Sequence, residues 1–278
     1  MHKIVVSFLF LLLAQLCPAQ YIVGGYGNGP ARITETETLD TSGLQCVYYH
    51  YIYDPEIDYF EELYEILQIG SRYSKYGSYG SYKVDSIVKA TERVISADEY
   101  VAWLRKYKTA PNYIIKDLKN KNLTVYDKVF IDNYMYEEDT PRFAWQLEDG
   151  TEEVCGHKCH KATASFRGRI WTAWYSDIPV PNGPWKFGGL PGLILKIEDS
   201  TGEHRFSAIM IKRDQTSFGK QKRQYINTTR EKFNKAILEY KNEAWKAFAG
   251  TDYQPKDAEG KAVEIPKRKL FFNPIELE

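Results

Sequence analysis

A chain of 278 residues with 43% hydrophobic and 27% charged residues can bury the core of one large domain or two small ones, and global disorder is excluded. Thirty-seven Lys and Arg balance 37 Asp and Glu, so the basic excess that counterion release asks of a dedicated nucleic-acid binder is missing. Six Trp, 22 Tyr and 13 Phe argue for strands over a helical bundle, since flat rings pack well on a pleated surface.

Residues 1–19 have the three parts of a secretory signal: basic Met1-His2-Lys3, an apolar run from Ile4 to Leu16, and Cys17-Pro18-Ala19 with small residues at −3 and −1 before Gln20. The apolar run is shorter than a spanning helix needs. Lipidation at Cys17 is the alternative, but Leu16 stands where that pattern wants a small residue. Residues 20–40 read as a loose leader. Its Gly25, Gly27 and Gly29 are followed by Pro30 in place of the last glycine of a dinucleotide loop, and no cofactor is expected. Residues 41–278 then form a single domain without repeats or a linker.

Cys46 to Tyr53 reads as a strand covered on both faces, and Ile57 to Ile69 fits either a helix or a strand. The Tyr-, Ser- and Gly-rich stretch from Gly70 to Ser86 reads as a loop with its rings folded onto the domain. Ile87, Val88, Thr91 and Val94 share a helical face, and Ser96 with Glu99 forms a capping box for a helix reaching Arg105. Beyond Asn122 the period changes to two. Phe143, Trp145 and Leu147 alternate with polar neighbours before an Asp149-Gly150 turn. Arg169 to Ser176, then Leu193, Leu195 and Ile197, then Phe206, Ala208 and Met210 continue an antiparallel meander. Thr228 and Glu231 cap one long C-terminal helix with Phe233, Ile237, Tyr240, Ala244 and Phe248 on one face and Gly250 closing it. Leu270-Phe271-Phe272 is expected to dock as a last short strand. The fold class that follows is mainly β (β-rich α+β): an antiparallel curved sheet or open half-barrel with a few packed helices, including the long C-terminal one.

Candidates for chemistry are sparse. There is no G-x-S-x-G, no H-E-x-x-H and no phosphate loop. Cys155, His157, Cys159 and His160 have zinc-ligand chemistry, yet six consecutive residues seldom wrap four ligands around one ion, so no metal is assigned. An oxidising compartment instead favours a disulfide from Cys46 to Cys155 or Cys159. Between strands, Asp177 to Ile194 is rich in proline and glycine. Its favoured reading is a tight turn that delivers Leu193, Leu195 and Ile197 to the core, with Gly189 and Gly192 supplying positive φ or close approach. Its competitor is a binding rim of Arg167, Arg169, Trp174, Trp185 and Phe187 with Gly189, Leu190, Pro191 and Gly192.

Gly189-Leu-Pro-Gly-Leu-Ile194, together with Cys159-His-Lys-Ala162, Phe166-Arg-Gly-Arg169, Ala173-Trp174-Tyr175, Ile178-Pro179 and Gly183-Pro-Trp-Lys-Phe187, resembles the central block of the GLPGLI family. Leu67-Gln-Ile-Gly70 with Ser74-Lys-Tyr76 and the ending Asn273-Pro-Ile-Glu-Leu-Glu278 resemble its two ends, although Tyr76 replaces a common phenylalanine and the GSYGSY insertion is long. The resemblance implies an exported Bacteroidetes protein resident in the periplasm or envelope, and it transfers no activity. The function expected is a non-catalytic module that binds an apolar ligand, a peptide or an outer-membrane protein, without nucleic acid and without a transmembrane segment after signal removal. A hydrolase using His50 or His204 with an unseen acid, and a metal site at Cys155 to His160, are the alternatives. A deep pocket that brings a histidine to a carboxylate would favour the hydrolase.

Overall fold

The computed structural model describes residues 29–257 and 259–278, so the expected export signal and most of the first half of the expected leader lie outside the described residues. The later part of that leader is not loose: β1 (Thr36–Thr41) is a strand. The main sheet begins with a meander of β2 (Leu44–Asp54), β3 (Tyr59–Ile69) and β4 (Tyr73–Ser78). Helices α1 (Tyr79–Ala90) and α2 (Ala97–Lys106) intervene before β5 (Tyr113–Asp117), β6 (Asn122–Val129) and β7 (Asp132–Asp139) continue it. A second meander holds β8 (Gln146–Val154), β9 (His157–Phe166), β10 (Arg169–Ser176), β11 (Ile194–Asp199) and β12 (His204–Lys212). One long-range seam joins the two: β2 against β12, with His50 opposite Phe206 and Cys46 opposite Ile211. β13 (Ser217–Gln221) pairs with β1, and β14 (Ile226–Asn227) adds to β7 in parallel. The chain closes with α3 (Arg230–Asn242), α4 (Ala244–Phe248) and an irregular tail.

Among the described residues, twelve strands therefore form one sheet from β14 to β8 that does not close into a barrel, accompanied by four helices. This is the mainly β, antiparallel architecture that the alternation of apolar residues dictates. Phe206, Ile197, Ala173, Trp171 and Ala162, on successive strands, are all completely buried on one face.

Several elements differ from expectation. The Tyr/Ser/Gly stretch contributes β4 and the start of α1 instead of a loop. β4 is central, paired on both sides, and its Ser74 and Tyr76 are buried, so small and hydroxylated residues serve where other backbone passes close. Ile57 to Ile69 resolves as strand from Tyr59. β2 is buried on its inner face at Cys46, Tyr48 and His50, whereas Tyr49, Tyr51 and Tyr53 on the other face are half-exposed. Phe143 and Trp145 precede β8 as irregular chain, and a bulge takes the place of the Asp149-Gly150 turn. The long helix breaks at Glu243 into α3 and α4, and its cap is Thr229, whose hydroxyl accepts from Lys232 N. Leu270-Phe271-Phe272 docks without strand pairing.

Candidate functional site

The inner face of β2 to β7 and β12 is roofed by α3 and by the tail from Phe271 to Glu278, and a cavity of about 620 Å³ lies between them. Phe233, Ile237 and Tyr240 fall on one side of α3 by their i, i+4, i+7 spacing and are buried there. Ile114 and Val125 from the sheet, Phe130 from the β6–β7 turn and Phe272 from the tail complete an apolar wall. The volume is that of a pocket for a drug-sized ligand.

One wall is polar. Tyr76 OH donates to Glu65 Oε2 at 2.5 Å, and His50 Nδ1 meets the same oxygen at 2.9 Å. His50 Nε2 lies 3.3 Å from His204 Nδ1, while the His50 ring stacks on Phe206 at 3.7 Å between centres. All four polar residues are buried and line the cavity. Burial, reinforced by His50 and Arg169, pushes His204 well below its ordinary pKa, so its ring is neutral. Burial likewise holds Tyr76 protonated. A signal for this cluster exists in the sequence: His50 and Glu65 interrupt the buried phase of two otherwise apolar alternations, Tyr48-x-His50-x-Ile52 and Leu63-x-Glu65-x-Leu67. Their mutual contact could not be read, because the partners stand 15 and 154 residues apart.

The loop between β10 and β11 packs against β4 and β5 and is clamped there. Lys116 of β5, 4% exposed, donates to Asn182 Oδ1 and to the Phe187 carbonyl, each at 2.8 Å, and Asn182 Nδ2 donates to Ser74 Oγ of β4. Burial pushes Lys116 down to about 7. Lys186 reaches Glu138 of β7 at 2.5 Å and Glu276 of the tail at 2.6 Å, and Arg167 pairs with the same two carboxylates. Burial pushes the Glu276 carboxyl up, but Lys186 and Arg167 together hold it below its ordinary value. Arg169 binds Asp199 at 2.5 Å and Glu203 at 2.8 Å, and its other nitrogen donates to Asn273 Oδ1 and the Pro274 carbonyl.

These contacts relocate most of the residues of the expected rim. Arg169 (6% exposed), Phe187 (0%) and Leu190 (2%) are buried and cannot face a partner. Gly192 is also buried, and Arg167 is spent on Glu138 and Glu276. Trp174 lies under Lys196, whose ammonium is 4.3 Å from its ring centre. Gly189 and Pro191 are exposed at the surface of the loop. Trp185 alone of that set lines the cavity, and it does so in a left-handed backbone conformation, φ 48°. The glycines divide the two tasks foreseen for them: Gly189 has φ 84°, whereas a Cβ on Gly192 would stand 1.7 Å from the Ser176 carbonyl oxygen.

The cysteine expectations are corrected. Cys46, Cys155 and Cys159 are free thiols. Cys46 faces the core from β2 and Cys159 from β9, four strands apart in the sheet order, while Cys155 sits exposed in the β8–β9 turn. Burial raises the Cys46 thiol to about 12 and Cys159 to about 11, which makes both poor nucleophiles. Strand alternation sends Cys159 inward and His160 outward, where it meets Asp177 at 3.3 Å, so the four would-be zinc ligands diverge. Among the described residues no group of three or more His, Cys, Asp or Glu could hold a metal ion.

Two crystal forms of PNGF-II resemble the chain in fold, with TM-scores of 0.49 and 0.48 at 14% and 13% identity; each match covers 73% of this chain and 34% of the other, so the chain spans about a third of their length. Curated proteins yield no match. A family model described as a protein of unknown function (Porph_ging) matches residues 167–196, the stretch from the β9–β10 turn through the clamped loop into β11.

Proposed function

We propose that the chain is a ligand-binding module that takes a largely apolar small molecule into the cavity between the sheet and α3. The observation that carries this reading is the cavity itself: about 620 Å³, walled largely by aromatic and aliphatic side chains, with polar and charged groups among them. The proposal includes membership of the GLPGLI family, supported by the motifs of the central block, and export to the periplasm, supported by the pattern of residues 1–19. In that compartment the ligand would be an apolar molecule in transit or a peptide side chain, and an outer-membrane protein is the natural receiver.

One observation favours a second reading, acid–base catalysis: His50 stands 2.9 Å from Glu65 inside the cavity, a histidine oriented by a carboxylate. Neither a nucleophilic serine nor a low-pKa thiol lines the same space, and binding is the better supported of the two.

Displacement of the apolar dye N-phenyl-1-naphthylamine, paired with native mass spectrometry of protein from its own source, tests the reading. Saturable dye binding and a retained small-molecule mass are expected, both lost in Ile237→Trp, which fills the cavity from α3. A chain that binds no dye and carries no extra mass overturns it.

A further inference from the structure

Two carboxylates in the cavity wall have no cation of their own. Leu123 and Val125 of β6 turn toward α3, and Asp127, two residues further along the same face, follows them into the cavity. Glu61 enters from β3 on the face of Leu63 and Glu65. The other acids there are engaged or exposed: Glu65 with Tyr76 and His50, Glu276 with Lys186 and Arg167, and Glu278 exposed. Asp127 Oδ1 accepts only from the adjoining Lys128 amide, at 2.7 Å, and no ion pair among the described residues reaches Asp127 or Glu61. The positive charge that both carboxylates feel is that of Lys241 on α3. Its ammonium is turned to the tail, where it donates to the Phe271 carbonyl at 3.3 Å. Lys108 adds to that charge at Glu61, and the phenol of Tyr136 stands near Asp127. The Lys128 side chain alternates to the other face of β6, by Arg223 and Asp132. Burial raises both carboxyls, because a charge in apolar surroundings costs stability unless a partner offsets it. An acid held at that cost in the wall of a cavity marks a functional position.

We propose that the cavity takes amphiphilic amines, whose apolar body lies between the sheet and α3 and whose ammonium pairs with Asp127, with Glu61 adding its charge. This deepens the binding reading and rests on it. An ammonium supplies the charge-assisted hydrogen bond that the free Asp127 Oδ2 lacks. An alcohol of the same shape would leave the carboxylate without a counter-charge, and a carboxylate ligand would set like charges together.

The test uses three probes of one shape: 4-hexylbenzylamine, 4-hexylbenzyl alcohol and 4-hexylbenzoate, each displacing N-phenyl-1-naphthylamine from the full chain at neutral pH. The amine should bind about tenfold tighter than the alcohol, as one hydrogen bond to a charged group gives, and the benzoate weakest. In Asp127→Asn the preference for amine over alcohol should shrink to about twofold or less, with a thermal unfolding midpoint at or above the parent's showing that the fold is intact. Carboxyl ¹³C titration of the unsubstituted protein gives a second readout that does not depend on the variant: bound amine should lower the Asp127 midpoint, and bound alcohol should not. Equal binding of amine and alcohol, tightest binding of the benzoate, a preference that survives Asp127→Asn, or an Asp127 midpoint unmoved by the amine each overturns the amine anchor while leaving the cavity reading standing. Failure of every probe and of the dye overturns the cavity reading itself.

Discussion

Gly192 shows how one missing side chain can hold a sheet together. Its Cα passes so near Ser176 and Ile178 that a methyl group would sit 1.7 Å from one carbonyl oxygen and 3.1 Å from the other. Gly192→Ala should therefore separate β10 from β11 and cost about 3 kcal/mol, at the upper end of overpacking penalties. Gly189→Ala meets open space, with the Trp145 indole nitrogen 3.9 Å away, and loses only the left-handed backbone preference, about 1 kcal/mol. Thermal unfolding of the two variants should rank them in that order. The spacing of these glycines was legible in the sequence; which one needed φ and which needed room was not, since the colliding carbonyl belongs to another strand. Lys116 was less legible still, because a lysine in a short strand reads as a solvated side chain until Asn182 and Phe187 are seen around it. Asp127, at the cavity wall, carries a residue-scale pH effect. Burial raises it to about 6, against the milder pull of the Lys128 amide and of Lys241. Between its unfolded value near 3.8 and about 6 the folded chain holds the extra proton, so stability falls as pH rises through that window and stays lowered above it. Asp127→Asn should be more stable than the parent at pH 7 and should flatten the slope between pH 4 and 6 in denaturant titrations.

At the scale of elements, the tail is the least regular segment and among the most firmly attached. Asn273 Nδ2 donates to the Tyr53 carbonyl and to Glu203, the Phe272 amide donates to Asp54, and Glu276 meets Lys186, Arg167 and Arg230. Because Glu276 is held below its ordinary value, the stability it contributes is present above about pH 4.5 and is lost as pH falls through its lowered folded value. Measured against the intrinsic rate at the same pH, the amides of residues 270–278 should be well protected at pH 7 and lose that protection at pH 3, a relative acceleration that precedes the sheet amides. Glu276→Gln should bring that acceleration to neutral pH and, by leaving Lys186 short of a partner, destabilise the fold by about 3 kcal/mol. The aromatic pair in the tail pointed to docking correctly, but a strand was the wrong form. Side-chain ions and capped amides, whose partners lie far off in sequence, do the work that ladder bonds would have done. β4 escaped the reading for a related reason: its serines and glycine carry a turn's composition, and only two flanking strands make a strand of them.

For the whole molecule, the large buried cluster draws residues from both meanders: Cys46, Tyr48, Leu67 and Tyr76 from the first, Ala162, Trp171, Ile197 and Phe206 from the second. Neither half has a complete interior without the other. Far-ultraviolet and near-ultraviolet circular dichroism should therefore follow a single coincident unfolding transition, and two separated transitions would show that the halves stand alone. The alternation of apolar residues made this antiparallel architecture readable from the start. The cavity was not, because α3 roofs one part of the sheet and the clamped loop another, and no local pattern says which.

The seam between β2 and β12 sets the order in which the chain can mature. Every other junction within the two meanders joins strands that follow one another, whereas His50 must wait for a partner 154 residues downstream. Until β12 arrives, β2 is left with one open edge, and that edge includes Val47 and Tyr48, both destined for burial. Closing so long a loop is entropically the slow step and makes the nascent chain prone to pairing with its neighbours.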